Sequence, residues 1–498
     1  MAIFNKNYFM KINIFTIIFC FTFFSTIAQY DPLGQDLVGE NGNYFFGAFI
    51  SMNNQGDRIA VYEAFVDGDS SGQVSTFEFN NDSWNLIGNP VLGLPSFDGQ
   101  GAGMVKLNDI GNRFIFSSPL NSGNNIEAAG TARVFELQNN QWVQIGQDLY
   151  GSEANDGFGD SVDINATGNT IIIGATEAGK INSNEGYVKI YSLQNNIWTQ
   201  LNQTLNGDQN NSDFGSAVSI DASGSRIAIL AQGYSTNNGY VQVFESQSNS
   251  WIQLGNTIIG ETSDDSLGSF NTNPLDLTDD GQIIAFSGNR STDNVGYVKV
   301  LQFQGNSWVP KGPTIVENIT NTSFGSSLSM NYNGNIIVIG SPVQEGITSV
   351  YDYSNDAWQK SIPNIVSTES SSSFGFSTAI NYLGTTFVSS APFFNGNGNG
   401  LGLVLSYGAD PTLSINSFDT LKDIRLYPNP SYGSFKIQFP TIIPKIDIMI
   451  SNTLGQKVYS KTYHNTKEIN IDKIFIAGLY IVTINYNGIS QSMKLIAD

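Results

Sequence analysis

The sequence predicts an all-β protein: a seven-bladed β-propeller closed by its N-terminal strand, followed by a small Ig-like β-sandwich. Three observations carry this. One unit is written seven times, its marker glycine falling at Gly56, Gly111, Gly168, Gly224, Gly281, Gly334 and Gly384, spaced 50 to 57 residues apart. Each unit holds four strand-like runs, the content of a propeller blade. A segment near the start of the chain supplies the one strand the last unit lacks.

Taken along the chain, residues 1–28 come first. Lys6 and Lys11 precede the apolar stretch Ile12 to Phe24 and the small-residue end Ser25-Thr26-Ile27-Ala28. This predicts a secretory signal peptide cleaved between Ala28 and Gln29. The stretch is shorter than the ~20 residues of a membrane span, and no later segment reaches that length, so no transmembrane segment is expected.

The segment Tyr30 to Glu40 aligns without gaps onto Trp142 to Ser152, with Tyr30 in the tryptophan place. Trp84, Trp142, Trp198, Trp251, Trp308 and Trp358 mark the fourth strand of six units, and the seventh stops after its third strand, Leu401 to Tyr407. The N-terminal strand is therefore expected to complete the last blade and remove the open sheet edges of the ring.

Within a unit, a Phe-Gly doublet such as Phe158-Gly159 precedes the marker glycine by nine residues. An unbroken apolar run follows, Ile171-Ile172-Ile173 in the third unit, as a strand buried on both faces requires. The next strand alternates, Gly186-Tyr187-Val188-Lys189-Ile190-Tyr191, which predicts less burial. Domain boundaries follow: signal peptide 1–28, propeller 29–408, linker 409–421 and a C-terminal domain 422–498.

Composition changes across that linker. Residues 29–421 hold 11 Lys/Arg against 38 Asp/Glu, and residues 422–498 hold 9 against 5. An acidic passenger argues against nucleic acid or anionic lipid as partners. The single cysteine, Cys20, lies in the leader and the single histidine, His464, in the tail. The propeller thus lacks the residues of Ser-His-Asp and Cys-His systems and of histidine zinc sites. No catalytic residue, cofactor or metal site is expected, and the chain reads as not an enzyme.

The tail carries Tyr427-Pro428-Asn429-Pro430, Gly433, the turn Asn452 to Gly455, Gly478 and Tyr480 in an Ala-Gly-Leu-Tyr strand, and a Lys494-Leu-Ile ending. In this order the motifs closely resemble the type A C-terminal sorting domain of the type IX secretion system. The resemblance implies export across a Gram-negative outer membrane, secretion or display at the cell surface, and the secretion machinery as a partner.

The Phe-Gly doublets, with strand ends such as Ser117-Ser-Pro119 and Gly340-Ser-Pro342, resemble the FG-GAP repeats of integrin-α-like propellers. That family holds calcium in a loop whose sixth position is the marker glycine. The third unit offers Asp163, Asn165 and Thr167 for it, and the fifth Asp276, Thr278 and Asp280. The ninth position is apolar in all seven units, Ile59, Phe114, Ile171, Ile227, Ile284, Ile337 and Phe387, which removes an oxygen ligand a hard cation needs. The calcium loops therefore read as degenerate.

Acids gather instead in the connections that lead into the Phe-Gly doublets. Glu153, Asp156, Asp208, Asp213, Asp264 and Asp265 form the expected ligand face, since loops on a rigid scaffold carry recognition. Tyr234 and Phe393-Phe394 could stack on sugars there. The leading expectation is a binding or adhesion protein for an extracellular glycan or protein. A structural surface component and a carboxylate-dependent carbohydrate-active enzyme are the alternatives.

Overall fold

The computed structural model describes residues 30–497 except 41–44, 65–71, 95–102, 177–184, 208–211, 234–238, 261–265, 269–273, 291–294, 318–322, 344, 368–371, 396–399, 410–423, 432, 453–456, 474, 476 and 487–488. The signal-cleavage residues Ala28 and Gln29, the ligand-face residues Asp208, Asp264 and Asp265, Tyr234 and the turn residue Gly455 lie outside the described residues. The described chain is all-β, arranged as antiparallel sheets with one short 3-10 turn, Gly123–Asn125.

Within 30–409 the described residues form seven such sheets, each built on one repeat unit. The third is representative, with strands Ser161–Ile164, Thr170–Ala175, Tyr187–Gln194 and Ile197–Gln200 in spatial order. Every residue of Thr170–Ala175 is buried, as its unbroken apolar run requires. Tyr187–Gln194 is buried along its first half and exposed at its end. In the last sheet Tyr30–Pro32 pairs with Leu403–Ala409, matching Tyr30 to Ala409 and Pro32 to Tyr407, and Leu37–Val38 pairs with the same strand.

Neighbouring sheets are joined by three repeated devices. Each tryptophan is placed on the sheet before its own. Trp142 Nε1 donates to Thr76 Oγ1 at 2.7 Å, Trp198 to the Ile145 carbonyl at 3.0 Å, and Trp84 to Ser406 Oγ at 2.8 Å. Gly146 has φ +71°, and a Cβ there would stand 2.4 Å from Trp198 Cδ1, so the indole needs a glycine beneath it.

The second device is an amide five residues beyond four of the six tryptophans, which grips the backbone of the next one. Gln147 Nε2 donates to the Trp198 carbonyl at 2.7 Å, and Trp198 N donates to Gln147 Oε1 at 3.0 Å. Gln203 holds Trp251 the same way, at 2.9 and 3.0 Å. Asn89 and Asn256 are one carbon shorter and accept only the amide of Trp142 and Trp308. Proline occupies the place at 313 and 363 and offers no side-chain amide.

The third device is ionic. Arg58, Arg113 and Arg226 pair with Glu78, Glu136 and Glu245, and each also donates at 3.2 Å to the marker-glycine carbonyl of the following sheet, Gly111, Gly168 or Gly281.

Residues 425–497 form a separate five-stranded sheet. Its long hairpin, Ser434–Asn452 with Lys457–Asp472, has a register shift between Gln438 and Ile443 that exchanges the buried parity. Phe435, Ile437 and Phe439 are buried before the shift; Ile446, Ile448 and Ile450 are buried after it. All six join one core with Val482, Ile484 and Leu495. The strands are hydrogen-bonded as one continuous sheet, where the turn spacing had suggested the two sheets of a sandwich. A bulge lets one sheet wrap its own core.

Candidate functional site: an axial cavity lined by carboxylates

The first strands of all seven sheets converge on one cavity of about 120 Å³. Its wall carries Ser51, Lys106, Asp163, Ser219, Asp276 and Ser329, each five residues before a marker glycine. Five of these side chains cap the next sheet. Ser51 Oγ accepts from Leu107 N at 3.0 Å, Ser219 from Leu277 N at 3.1 Å, Ser329 from Ile380 N at 3.3 Å, Asp163 from Ile220 N at 2.9 Å and Asp276 from Met330 N at 2.6 Å. Lys106 has no acceptor to offer its neighbour, and Asp163 compensates by taking Ile164 N on its second oxygen at 2.9 Å.

The tight turns after these strands form the mouth of the cavity. Their backbones are linked from sheet to sheet: Asn54 N to Asp109 O, Ala166 N to Ala222 O, Ala222 N to Asp279 O, Tyr332 N to Tyr382 O and Tyr382 N to Asn54 O, all between 3.0 and 3.2 Å. Asn54 Nδ2 also donates to Asp279 Oδ2 at 3.2 Å. The rings of Tyr332 and Tyr382 stack 4.2 Å apart at 11°.

Four carboxyls share this space with one ammonium. Burial raises Asp276 to about 7, opposed by the Met330 amide and Lys106. Asp109 also rises to about 7, through burial and then the charge of Asp163. Burial is likewise the first cause of the rise at Asp163 and at Asp279, where the Asp109 charge adds to it. Groups that titrate near neutrality can exchange protons with a bound ligand. Among the described residues the Asp109 carboxylate accepts no hydrogen bond and Lys106 forms no ion pair.

Asp163 and Asp276 had been read as remnants of calcium loops. Their carboxylates instead serve the backbone of the next sheet. Asn165 Oδ1 accepts from Asn169 N at 3.0 Å and Thr170 N at 2.9 Å, and Asp280 accepts from Thr278 Oγ1 and Gln282 N. These side-chain contacts hold the turn. Gly168, at φ +70°, lets it close against Arg113. The seven apolar ninth positions are all fully buried.

The expected ligand face is only partly described. Glu153 is exposed, whereas Asp156 is buried and accepts from Ser152 N at 2.7 Å, Glu153 N at 3.0 Å and the Tyr187 hydroxyl at 2.8 Å. Asp213 is buried as well, at φ +47°. Asp156 thus shapes its own loop instead of facing a ligand. Phe393 packs edge-on against Phe45 at 5.0 Å. The axial acids were overlooked in the sequence as a group because they come from three units; two recurring offsets, five and two residues before a marker glycine, were the available signal.

In the tail, Asn429 of the Tyr427–Pro430 motif grips the last strand. Its Nδ2 donates to the Lys494 carbonyl at 2.7 Å and its Oδ1 accepts from Ile496 N at 2.8 Å. Ser431 N donates to the Ile496 carbonyl at 2.8 Å. Tyr480 is buried in the tail core, while Lys494 and Gly478 are exposed. Gly433 and Asn452 flank the long strand Ser434–Asn452 at its start and end.

Residues 425–498 match the family described as the secretion system C-terminal sorting domain. The chain is thus an exported protein, carried by this tail through the type IX secretion system to the cell surface or beyond it. No helix among the described residues is long and apolar enough to cross a membrane.

No curated protein matches the chain in sequence. Among solved structures it is similar to the periplasmic gluconolactonase of Pseudomonas aeruginosa, at 12% identity and TM-score 0.47, covering 65% of this chain and 86% of that one. Similar too is a Bacteroides uniformis protein provisionally named a 6-phosphogluconolactonase, at 14% identity and TM-score 0.47, covering 65% and 87%. The hydrazine synthase of Kuenenia stuttgartiensis gives 11% identity and TM-score 0.49, covering 76% and 99%.

These likenesses correct one expectation. The missing histidine and cysteine had suggested that the chain is not an enzyme, yet the similar structures bear the names of enzymes. At such identities no activity carries over from them. The inference from missing residue types nevertheless fails, since carboxylates alone can supply acid and base.

Proposed function

We propose that this is a β-propeller protein displayed on or released from the cell surface, where it binds an extracellular glycan or protein. In this reading residues 29–408 are the propeller, 409–421 a linker and 422–498 the sorting domain. The seven sheets act as the blades of a ring sealed by the N-terminal strand. The pairing of Tyr30–Pro32 with Leu403–Ala409 supports the seal, as does the hydrogen bond from Tyr382 to Asn54 between last and first units. The single observation that carries the functional reading is the conjunction of an export tail with a rigid sheet assembly whose seven first strands converge on a polar cavity.

The test is capture of ligands by the purified propeller on arrays of glycans and extracellular proteins. A reproducible ligand supports the reading. A blank on both, with self-association at high concentration, favours a structural surface component.

A second reading is favoured by the carboxyls of Asp109 and Asp276, which titrate near 7. They suit general acid and base work on a polysaccharide. Turnover abolished by Asp276→Asn would establish it.

A further inference from the structure

We infer that the mouth of the axial cavity is a subsite for a neutral sugar, whose ring lies on the Tyr332–Tyr382 pair and whose hydroxyl arm enters the cavity toward Asp109. This rests on the binding function proposed above and names its ligand class and location.

Four observations converge. Tyr332 and Tyr382 stand in the ring of turns between Asp279 and Asn54, stacked at 4.2 Å and tied backbone to backbone, so the pair is rigid before any ligand arrives. Flat aromatic surface beside polar groups suits a sugar, which presents apolar C–H faces and polar edges. Asp109 is half-buried and lines the cavity, and its carboxylate accepts no hydrogen bond among the described residues. A half-buried carboxylate without a protein donor is open to a ligand hydroxyl, which can donate to it.

The third and fourth observations concern size and charge. A cavity of about 120 Å³ has room for a hydroxyl or hydroxymethyl arm. No three His, Cys, Asp or Glu among the described residues stand close enough to hold a metal ion, so the donor is sought in a hydroxyl and not in a cation. Acidic sugars are disfavoured, because Lys106 is the one cationic residue in the described wall and the chain as a whole carries a net charge of −21.

The experiment titrates the full chain without its leader with cellohexaose, xylohexaose, laminarihexaose and mannohexaose by calorimetry, with polygalacturonate as the acidic control. At least one neutral hexasaccharide is expected to bind and polygalacturonate to fail. Tyr382→Leu and Asp109→Asn should each weaken binding by roughly tenfold. Melting curves confirm that both variants fold; should Tyr382→Leu unfold, Tyr332→Leu replaces it. Unchanged affinity in the folded variants overturns the subsite while leaving the binding function in place. Preference for polygalacturonate, or capture of a protein with no sugar bound, overturns it in the same way. A chain that binds nothing on the glycan and protein arrays overturns both.

Discussion

Gln35 grips Trp84 across the seam between the last and first sheets. Its Nε2 donates to the Trp84 carbonyl at 2.6 Å, and its Oε1 accepts from Trp84 N at 2.9 Å. Gln35 stands five residues beyond Tyr30, as Gln147 stands beyond Trp142. The N-terminal segment therefore brings both the strand and the clamp that other units carry internally. Gln35→Ala should lower stability by about 1–2 kcal/mol, since two partly exposed hydrogen bonds are lost. Deleting residues 29–41 should cost far more, because the last sheet loses its outer strand. Thermal melts of both variants check this, and an unchanged melting temperature in the deletion would refute the seal.

The axial carboxyls make stability depend on pH in an unusual direction. Asp109 and Asp276 are raised to about 7 in the folded state from 3.8. Between these values the folded state holds protons that the unfolded chain has released. Their contribution is thus fully present below pH 3.8 and lost as pH rises through 7. Each group contributes a slope of about −1.4 kcal/mol per pH unit in that window, less whatever water entering the cavity screens. Asp276→Asn should flatten the pH dependence between 4 and 7. Melting temperatures at half-unit intervals would show it, and parallel curves for variant and wild type would count against it.

Asn165 holds its turn by accepting from Asn169 N and Thr170 N. Thr170 is buried, so Asn165→Ala leaves an amide without a partner. The expected loss is about 1–3 kcal/mol, and Asn165→Asp should restore much of it. If the turn instead depends on a cation, millimolar calcium will raise the melting temperature of the wild type; no such rise is expected.

In the tail, Asn429→Ala should free the Ile496 amide. Hydrogen exchange at Ile496 is expected to quicken by about tenfold, in line with roughly 1 kcal/mol for the lost bond. A second readout is surface delivery, which should fall if the terminal strand must be held in place to be recognised. Unaltered exchange at Ile496 would show that the pairing with the neighbouring strand suffices.

Much was legible because repetition exposes design. The marker glycines, the tryptophans and the apolar runs such as Ile171 to Ile173 identified strands and their burial directly. Each role is local, set by backbone conformation or by a period of two. The amide at Gln35, Gln147 and Gln203 was equally periodic but has no local meaning; only the neighbouring sheet shows what it grips. Asp163 and Asp276 were noticed only as acids of degenerate calcium loops, the nearest local explanation, and nothing local says that they cap the next sheet. Asp156 was taken for a ligand-facing acid, and burial against Tyr187 made it a loop brace.

By itself, then, the sequence determined the all-β class, the repeat and the export tail, since strand period, turn glycines and a linear motif are encoded by neighbours in the chain. Only the tertiary structure decided that Lys106, Asp109, Asp163, Asp276 and Asp279 share one cavity. These residues come from the second, third and fifth units, and the convergence of seven first strands brings them together. Their protonation follows from that convergence, because desolvation and mutual repulsion act through space and leave no trace in the order of residues.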